Sequence, residues 1–317
     1  MSGHWRDRPE GGGRAAIWMI RAAALYGGRR FAHSILWPAT LYFMLRRGPE
    51  RRAAGQFLSR ALGRRAALGE VFRLLLRFGQ TQVDRIFFLA RGERGFDIAV
   101  EGIPALLESV DQGRGVLLIG SHQGSFEALR ALSSRRPDLG LRVVLDKQKT
   151  PAMTSLLEEL APHVGACVID AALGGTSVTL AVSEACQRGS LVALLADRGR
   201  EGEPHRSAPF LGKPAPFPVG PWLLAHALKV PVVLCFGLYE GGNRYRLIFE
   251  RFADCIDIPR HQRSQMLDAV IARYAARVEH YARTEPYNWF NFHDFWQEAD
   301  TPELPAMVVA QPEHADA

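Results

Sequence analysis

Near its N-terminus the chain has no apolar run long enough to cross a membrane. The uncharged stretch Phe31–Leu45 holds fifteen residues, against the roughly 20 that a spanning helix needs. A cleavable signal peptide fits poorly too, because no small-residue cleavage site follows and the charges continue. Cysteine is scarce. Cys167, Cys186, Cys235 and Cys255 are far apart and form no C-x-x-C pair, which reads as reduced, buried thiols rather than a disulfide or zinc framework. There is no Walker A sequence, no G-x-G-x-x-G and no metal-spaced set of His and Cys. Nucleotide and metal readings therefore lack support, and no cofactor is expected.

Lysine is absent from residues 1–65, yet that segment holds thirteen arginines against three acids, a balance of +10. With +6 for the whole chain, the remainder carries −4. A basic arm on a mildly acidic body seeks a polyanion, either nucleic acid or an anionic membrane. The apolar residues between the arginines decide between them. Short runs containing Trp18, Tyr26, Trp37 and Tyr42, bracketed by Arg29, Arg30, Arg46 and Arg47, fit a helix lying in the cytoplasmic leaflet. Each Arg near anionic lipid contributes about 1 kcal/mol. A helical hairpin packed on the body is compatible with the same residues. The expected partner is an anionic membrane surface, not nucleic acid.

Hydrophobic residues make up 47% of the 317, enough for a sizeable core. Three regions are expected: a basic, apolar helical membrane-associating region over 1–95, an α/β domain over 96–298 and a disordered tail over 299–317. From about residue 97, short runs rich in Val, Ile and Leu alternate with helical stretches. The strands read as Ile98–Val100, Gly115–Gly120, Arg142–Leu145, Ala166–Ile169, Leu191–Ala196, Val230–Phe236 and Tyr245–Phe249. The helices read as Ile103–Gln112, Gly124–Arg135, Pro151–Leu160, Thr176–Arg188, Gly220–Ala227 and Arg260–Arg283. Strands without polar alternation, separated by helices, predict a largely parallel sheet covered on both faces. Chemistry in such sheets sits at the C-terminal ends of strands.

His122 sits at such an end. The buried run Gly115–Gly120 leads into it, and a helix start near Gly124 follows. Glu127, in the first turns of that helix, is expected to fix the imidazole tautomer and leave the other ring nitrogen as a base. Such a base deprotonates a hydroxyl or amine, which then attacks an acyl thioester. N–H groups near Gly124 are expected to bind an anion or a developing oxyanion. The His-to-Glu spacing alone is weak, since His280/Glu285 and His293/Glu298 repeat it without a preceding strand end. Gly120–Gly124 also has the outline of a nucleophile elbow, but His stands where Ser belongs, which argues against a serine hydrolase.

His122-x4-Glu127 after a buried strand resembles the first block of the lysophospholipid acyltransferase superfamily, in its branch of lipid A late acyltransferases. Leu195–Arg200 resembles that branch's Asp-Arg block after a strand. Ala208–Gly220 resembles its Pro-Phe-Gly segment, Leu224–Val233 its strand-leading proline block, and Pro286–Trp296 its aromatic ending. The resemblance spans about residues 20–297. It implies a glycerolipid acyltransferase-like mixed, largely parallel sheet flanked by helices, with the N-terminal membrane-associating segment. It implies an inner-membrane enzyme at the cytoplasmic face. Such an enzyme moves a fatty or aryl acyl group from acyl-carrier protein or acyl-CoA to a lipid or glycolipid hydroxyl or amine. Lysines (Lys147, Lys149) replace the arginine that lipid A enzymes carry after the first helix, which points to an acceptor other than lipid A.

The expected catalytic residues are therefore His122 and Glu127. Asp197, Arg198, Arg200, Lys149, Lys213 and Gly124 are the expected substrate-binding set, with the basic side chains holding phosphates or an anionic acceptor. The aromatics Phe210, Phe217 and Trp222 read first as core. The competing reading is a catalytically degenerate, membrane-docked binding protein of the same fold.

Overall fold

A computed structural model of the chain describes residues 14–111, 113–129, 140–148, 154–155, 159–160, 165, 167–199 and 202–296. The chain opens with three helices, α1 (Arg14–Arg46), α2 (Gly48–Leu62) and α3 (Leu68–Arg91). Gly28 breaks α1 with φ 78° and ψ 172°, a conformation that costs glycine little. Pro49 begins α2, where the missing N–H has no helical partner anyway. Gly63 ends it in the left-handed region. At the start of α3, the Glu70 carboxylate accepts the Ala67 N–H at 2.8 Å.

These helices join the body's core. Phe57 and Leu58 of α2 and Leu74 and Leu75 of α3 belong to one buried cluster with strand residues Leu117, Val192 and Val232. α1 packs on α3 through an apolar cluster, Ala32 and Leu36 against Leu76, Val83, Ile86 and Phe87, and a polar link lies beside it. Asp84, wholly buried, receives Arg29 Nε at 2.6 Å, Arg29 Nη2 at 2.8 Å and the Tyr245 hydroxyl at 2.7 Å, with His33 Nε2 at 2.9 Å. A buried carboxylate is tolerated only when saturated in this way.

Seven strands form the main sheet: β1 (Asp97–Glu101), β2 (Val116–Gly124), β3 (Leu141–Leu145), β4 (Val168–Asp170), β5 (Leu191–Leu195), β8 (Val232–Gly241) and β9 (Arg244–Ala253). Between β5 and β8 in sequence come β6 (His205–Phe210) and β7 (Lys213–Pro218). The sheet order is β1-β9-β8-β2-β5-β3-β4. Every adjacent pairing is parallel except β8 with β9, an antiparallel hairpin. Helices α4 (Ile103–Val110), α5 (Gly175–Gln187), α6 (Gly220–Leu228) and α7 (Arg263–Thr284) complete the described elements of regular helix.

The apolar runs lack polar alternation because both faces are covered. In β2, Leu117 and Ile119 enter one core cluster while Val116 and Leu118 enter the other. In β5, Val192 and Leu194 face the first and Leu191 and Ala193 the second. Side chains alternate across a strand, so each of these strands supplies two cores. Each fully buried Leu or Val contributes about 1.5–3 kcal/mol.

All seven expected strands are present within a few residues, and α4, α5, α6 and α7 match the expected helices closely. Two expectations need correction. The helix predicted from Gly124 is a short 3-10 turn, Phe126–Leu129, in its described part. The predicted helix 151–160 falls mostly outside the described residues. The segment Ala208–Gly220 was not read as strand, yet it contributes the β6–β7 hairpin. Pro209, Pro214, Pro216 and Pro218 hide it from propensity reasoning. In β7 the prolines alternate, so the N–H groups they lack would point away from β6, and a two-stranded ribbon tolerates them.

Candidate functional site

Parallel register builds the site. β2 pairs with β5 so that Gly120 lies beside Leu195. Two residues beyond that pair on each strand come His122 and Asp197. The His122 ring Nδ1 is 2.8 Å from Asp197 Oδ1, and the His122 backbone N–H donates to Asp197 Oδ2 at 3.1 Å. Asp197 is completely buried, whereas the His122 side chain is 40% exposed.

The strand end is held by its neighbours. Gly120 carries its carbonyl to the Tyr274 hydroxyl at 2.7 Å and to the Ala196 N–H at 3.0 Å. The Gln123 amide donates to the Val278 carbonyl at 3.1 Å. Gly124 has φ +64°, and a Cβ there would lie 1.9 Å from the Gly237 carbonyl oxygen. Only glycine fits both the backbone angle and the close approach.

Burial by itself raises the pKa of Asp197. The charges of His122 and Arg198 and the hydrogen bonds from the His122 side chain and backbone outweigh it, and the carboxyl ends well below the usual carboxylate range. An ionised carboxylate only accepts. His122 Nδ1 is therefore the donor, so the neutral ring is the Nδ1–H tautomer with its lone pair on Nε2. One face of a half-exposed imidazole thus offers a base, and a buried anion behind it stabilises the imidazolium that forms on protonation.

Glu127 does not take the orienting part expected of it. Its carboxylate is paired with Arg85 Nε of α3 at 2.7 Å and accepts the Ser125 hydroxyl at 3.2 Å. The short 3-10 turn carries Glu127 toward α3, and the sheet register brings Asp197 to the imidazole instead. Gly124 is corrected as well. Its N–H donates to the Asn288 carbonyl at 2.8 Å, and the next N–H, of Ser125, donates to the Gly237 carbonyl at 2.7 Å. Neither is free to hold an oxyanion.

Of the basic side chains, the structure brings Arg198 to the site. Its Nη2 donates to the Phe290 carbonyl at 2.6 Å and its Nε lies 3.8 Å from Asp197 Oδ2. That geometry ties Arg198 to the protein's own backbone. Lys213 opens β7 across from Phe210 and is exposed. No hydrogen bond or ion pair joins Lys213 to His122 or Asp197 among the described residues. Lys149 and Arg200 lie outside the described residues. Phe210, Phe217 and Trp222 are fully buried, as their core reading expects.

Sequence reasoning missed Trp289. It saw Trp289 only as part of the aromatic ending Pro286–Trp296, but the Trp289 indole Nε1–H donates to Asp197 Oδ2 at 3.1 Å. Nothing local to Trp289 signals this contact, since 92 positions separate the partners. Among the described residues no cluster of three or more His, Cys, Asp or Glu is arranged to hold a metal. Among the described residues, one surface depression lies against α7 at Ala272 and Ala276 and another between α5 and α6 at Leu180 and Leu224. Neither is lined by His122 or Asp197.

Residues 71–298 match the family of bacterial lipid A biosynthesis acyltransferases. The chain belongs to that family. The match covers more than two thirds of the sequence, from the first turn of α3 past Trp289. Search of the curated proteins found no match. The protein is thus an acyltransferase of the lipid A biosynthesis type, and its family match contains His122, Asp197 and the segment that contacts them.

Proposed function

We propose that this acyltransferase moves a fatty or aryl acyl group from a thioester, on acyl-carrier protein or coenzyme A, to a hydroxyl or amine of a lipid or glycolipid, with His122 as the general base. The observation that carries the reading is the hydrogen bond from His122 Nδ1 to buried Asp197. In the reaction, the acceptor O–H or N–H gives its proton to His122 Nε2 as the oxygen or nitrogen attacks the thioester carbonyl. The C–S bond then breaks, and the imidazolium returns the proton to the departing thiolate. Asp197 stays ionised and steadies the imidazolium. General-base assistance of this kind is worth about 10²–10⁴-fold in rate.

The proposed location is the cytoplasmic face of the inner membrane. Among the described residues no helix is long and apolar enough to cross a membrane. α1 nonetheless carries Phe31, Trp37, Leu41, Tyr42 and Leu45 exposed, and Trp37, Leu41 and Leu45 recur every four residues along one face. Arg46, Arg47, Arg51 and Arg52 follow directly. An apolar, aromatic helix face beside arginines suits the interface of an anionic bilayer.

The test is lipid mass spectrometry of a deletion strain complemented with the wild-type gene or with His122→Ala, paired with transfer assays using each donor. The wild type restores an acylated lipid and His122→Ala does not. Restoration by a folded His122→Ala protein would overturn the assignment.

A further inference from the structure

The chain that follows α7 returns to the end of β2 and fastens to it at three consecutive residues. The Asn288 side chain brackets the Tyr239 backbone, its Oδ1 accepting the Tyr239 N–H at 2.8 Å and its Nδ2 donating to the Tyr239 carbonyl at 3.2 Å. The Asn288 carbonyl accepts the Gly124 N–H at 2.8 Å. The Phe290 N–H donates to the His122 carbonyl at 3.1 Å, and the Phe290 carbonyl accepts Arg198 Nη2 at 2.6 Å. Between them, Trp289 forms an isolated antiparallel bridge with Gln123 and turns its indole into the core.

The position of that indole is over-determined. Trp289 is fully buried, with the rings of Phe57 at 4.8 Å, Phe210 at 5.0 Å and Phe295 at 5.0 Å, all edge-on. Three aromatic neighbours drawn from α2, β6 and the tail fix the ring plane. Its only polar atom then has one place to go, Asp197 Oδ2. That oxygen also takes the His122 backbone N–H, which leaves Oδ1 for the imidazole.

We infer that Trp289 is a positioning residue, which holds the Asp197 carboxylate so that Oδ1 faces His122 Nδ1 and keeps Nε2 the proton-accepting nitrogen. The inference rests on the reading of His122 as the base. Without the indole, Oδ2 keeps one hydrogen-bond donor, the His122 N–H, with Arg198 Nε 3.8 Å away, and the carboxylate turns more freely about its Cβ–Cγ bond, where the torsional wells are broad. Two donors of different origin, one from β2 and one from the returning chain, restrict that rotation. The active centre is therefore completed only when the C-terminal segment has docked on the strand end.

The experiment uses the full chain with ¹⁵N-labelled histidine, the His122 signal being assigned by its loss in His122→Ala. Long-range ¹H–¹⁵N correlation reads the tautomer. Trp289→Phe removes the N–H, and replacement of Trp289 by 3-benzothienylalanine removes it while keeping the bicyclic shape. Lauroyl-CoA with extracted membrane lipid serves as the transfer probe. In the wild type a single Nδ1–H tautomer is expected. In the benzothienyl protein we expect a tautomer mixture and a fall in kcat of about tenfold, with KM and the thermal midpoint little changed. An unaltered tautomer and kcat in that protein would overturn the inference, as would a loss confined to KM or to thermal stability. If His122→Ala still transfers acyl groups while Trp289 replacement scrambles the tautomer, the proposed function fails and the hold of Trp289 on Asp197 stands.

Discussion

Asp197 meets His122 twice, through the ring Nδ1 at 2.8 Å and through the backbone N–H at 3.1 Å, across 75 positions of sequence. The double contact fixes both the ring's tautomer and the place of its backbone. Asp197→Asn keeps the shape but puts an amide donor where an acceptor is needed. It is expected to lower kcat by about 10²–10⁴-fold, measured by single-turnover acyl transfer, with the protein still folded by circular dichroism.

Glu127 lies closer in sequence to His122 but serves α3. Glu127→Gln weakens the contact with Arg85 and leaves the His122–Asp197 pair intact. Transfer should fall less than about tenfold, far less than for Asp197→Asn. Glu127→Ala should lower the urea midpoint by an amount equivalent to about 1–3 kcal/mol, because Arg85 is partly exposed and loses only part of a buried pair's worth.

At Gly124 a methyl group meets the Gly237 carbonyl and the backbone is left-handed. Gly124→Ala is expected to destabilise the fold by more than about 2 kcal/mol. Thermal unfolding measures it, and an unchanged midpoint would contradict the close packing of the two strand ends.

Stability should also depend on pH through Asp197. Its pKa in the folded protein lies below the ordinary value, so between the two values the unfolded chain binds more protons than the folded one. The contribution is therefore complete above the unfolded value near about 4 and is lost as pH falls below it. Urea titrations of wild type and Asp197→Asn at neutral pH and near pH 3 should show the gap between them narrowing in acid.

Burial pushes the thiol pKa of Cys186 up to about 11 and that of Cys235 up to about 12, while Cys255 is exposed. Iodoacetamide at pH 8 should label Cys255 in the native protein and spare Cys186 and Cys235 until denaturant is added. Peptide mass spectrometry reads each site.

The exposed face of α1 gives a prediction about location. Trp37→Glu with Leu41→Glu replaces two exposed apolar side chains without touching the Asp84 cluster. Co-sedimentation with phosphatidylglycerol vesicles should weaken by more than about tenfold, given about 1.5–3 kcal/mol for each large side chain buried. Unchanged binding would remove this face from the membrane contact.

What the sequence determined by itself was local. Runs such as Val116–Ile119 and Leu191–Leu194 are apolar at every position, so they read as doubly covered strands, and both are. His122 could be placed at a strand end for the same reason. The partner of His122 was not local. Glu127 is five positions from it in sequence, but the 3-10 turn Phe126–Leu129 swings that carboxylate onto Arg85. Asp197 and Trp289 reach the site through strand register and through the return of the C-terminal segment. Hydrophobic pattern says that a strand is buried, but not which strand lies beside it or at what offset. Those are set by the packing of the whole sheet and of the aromatic residues Phe57, Phe210, Trp289 and Phe295 against one another, and only the tertiary structure decides them.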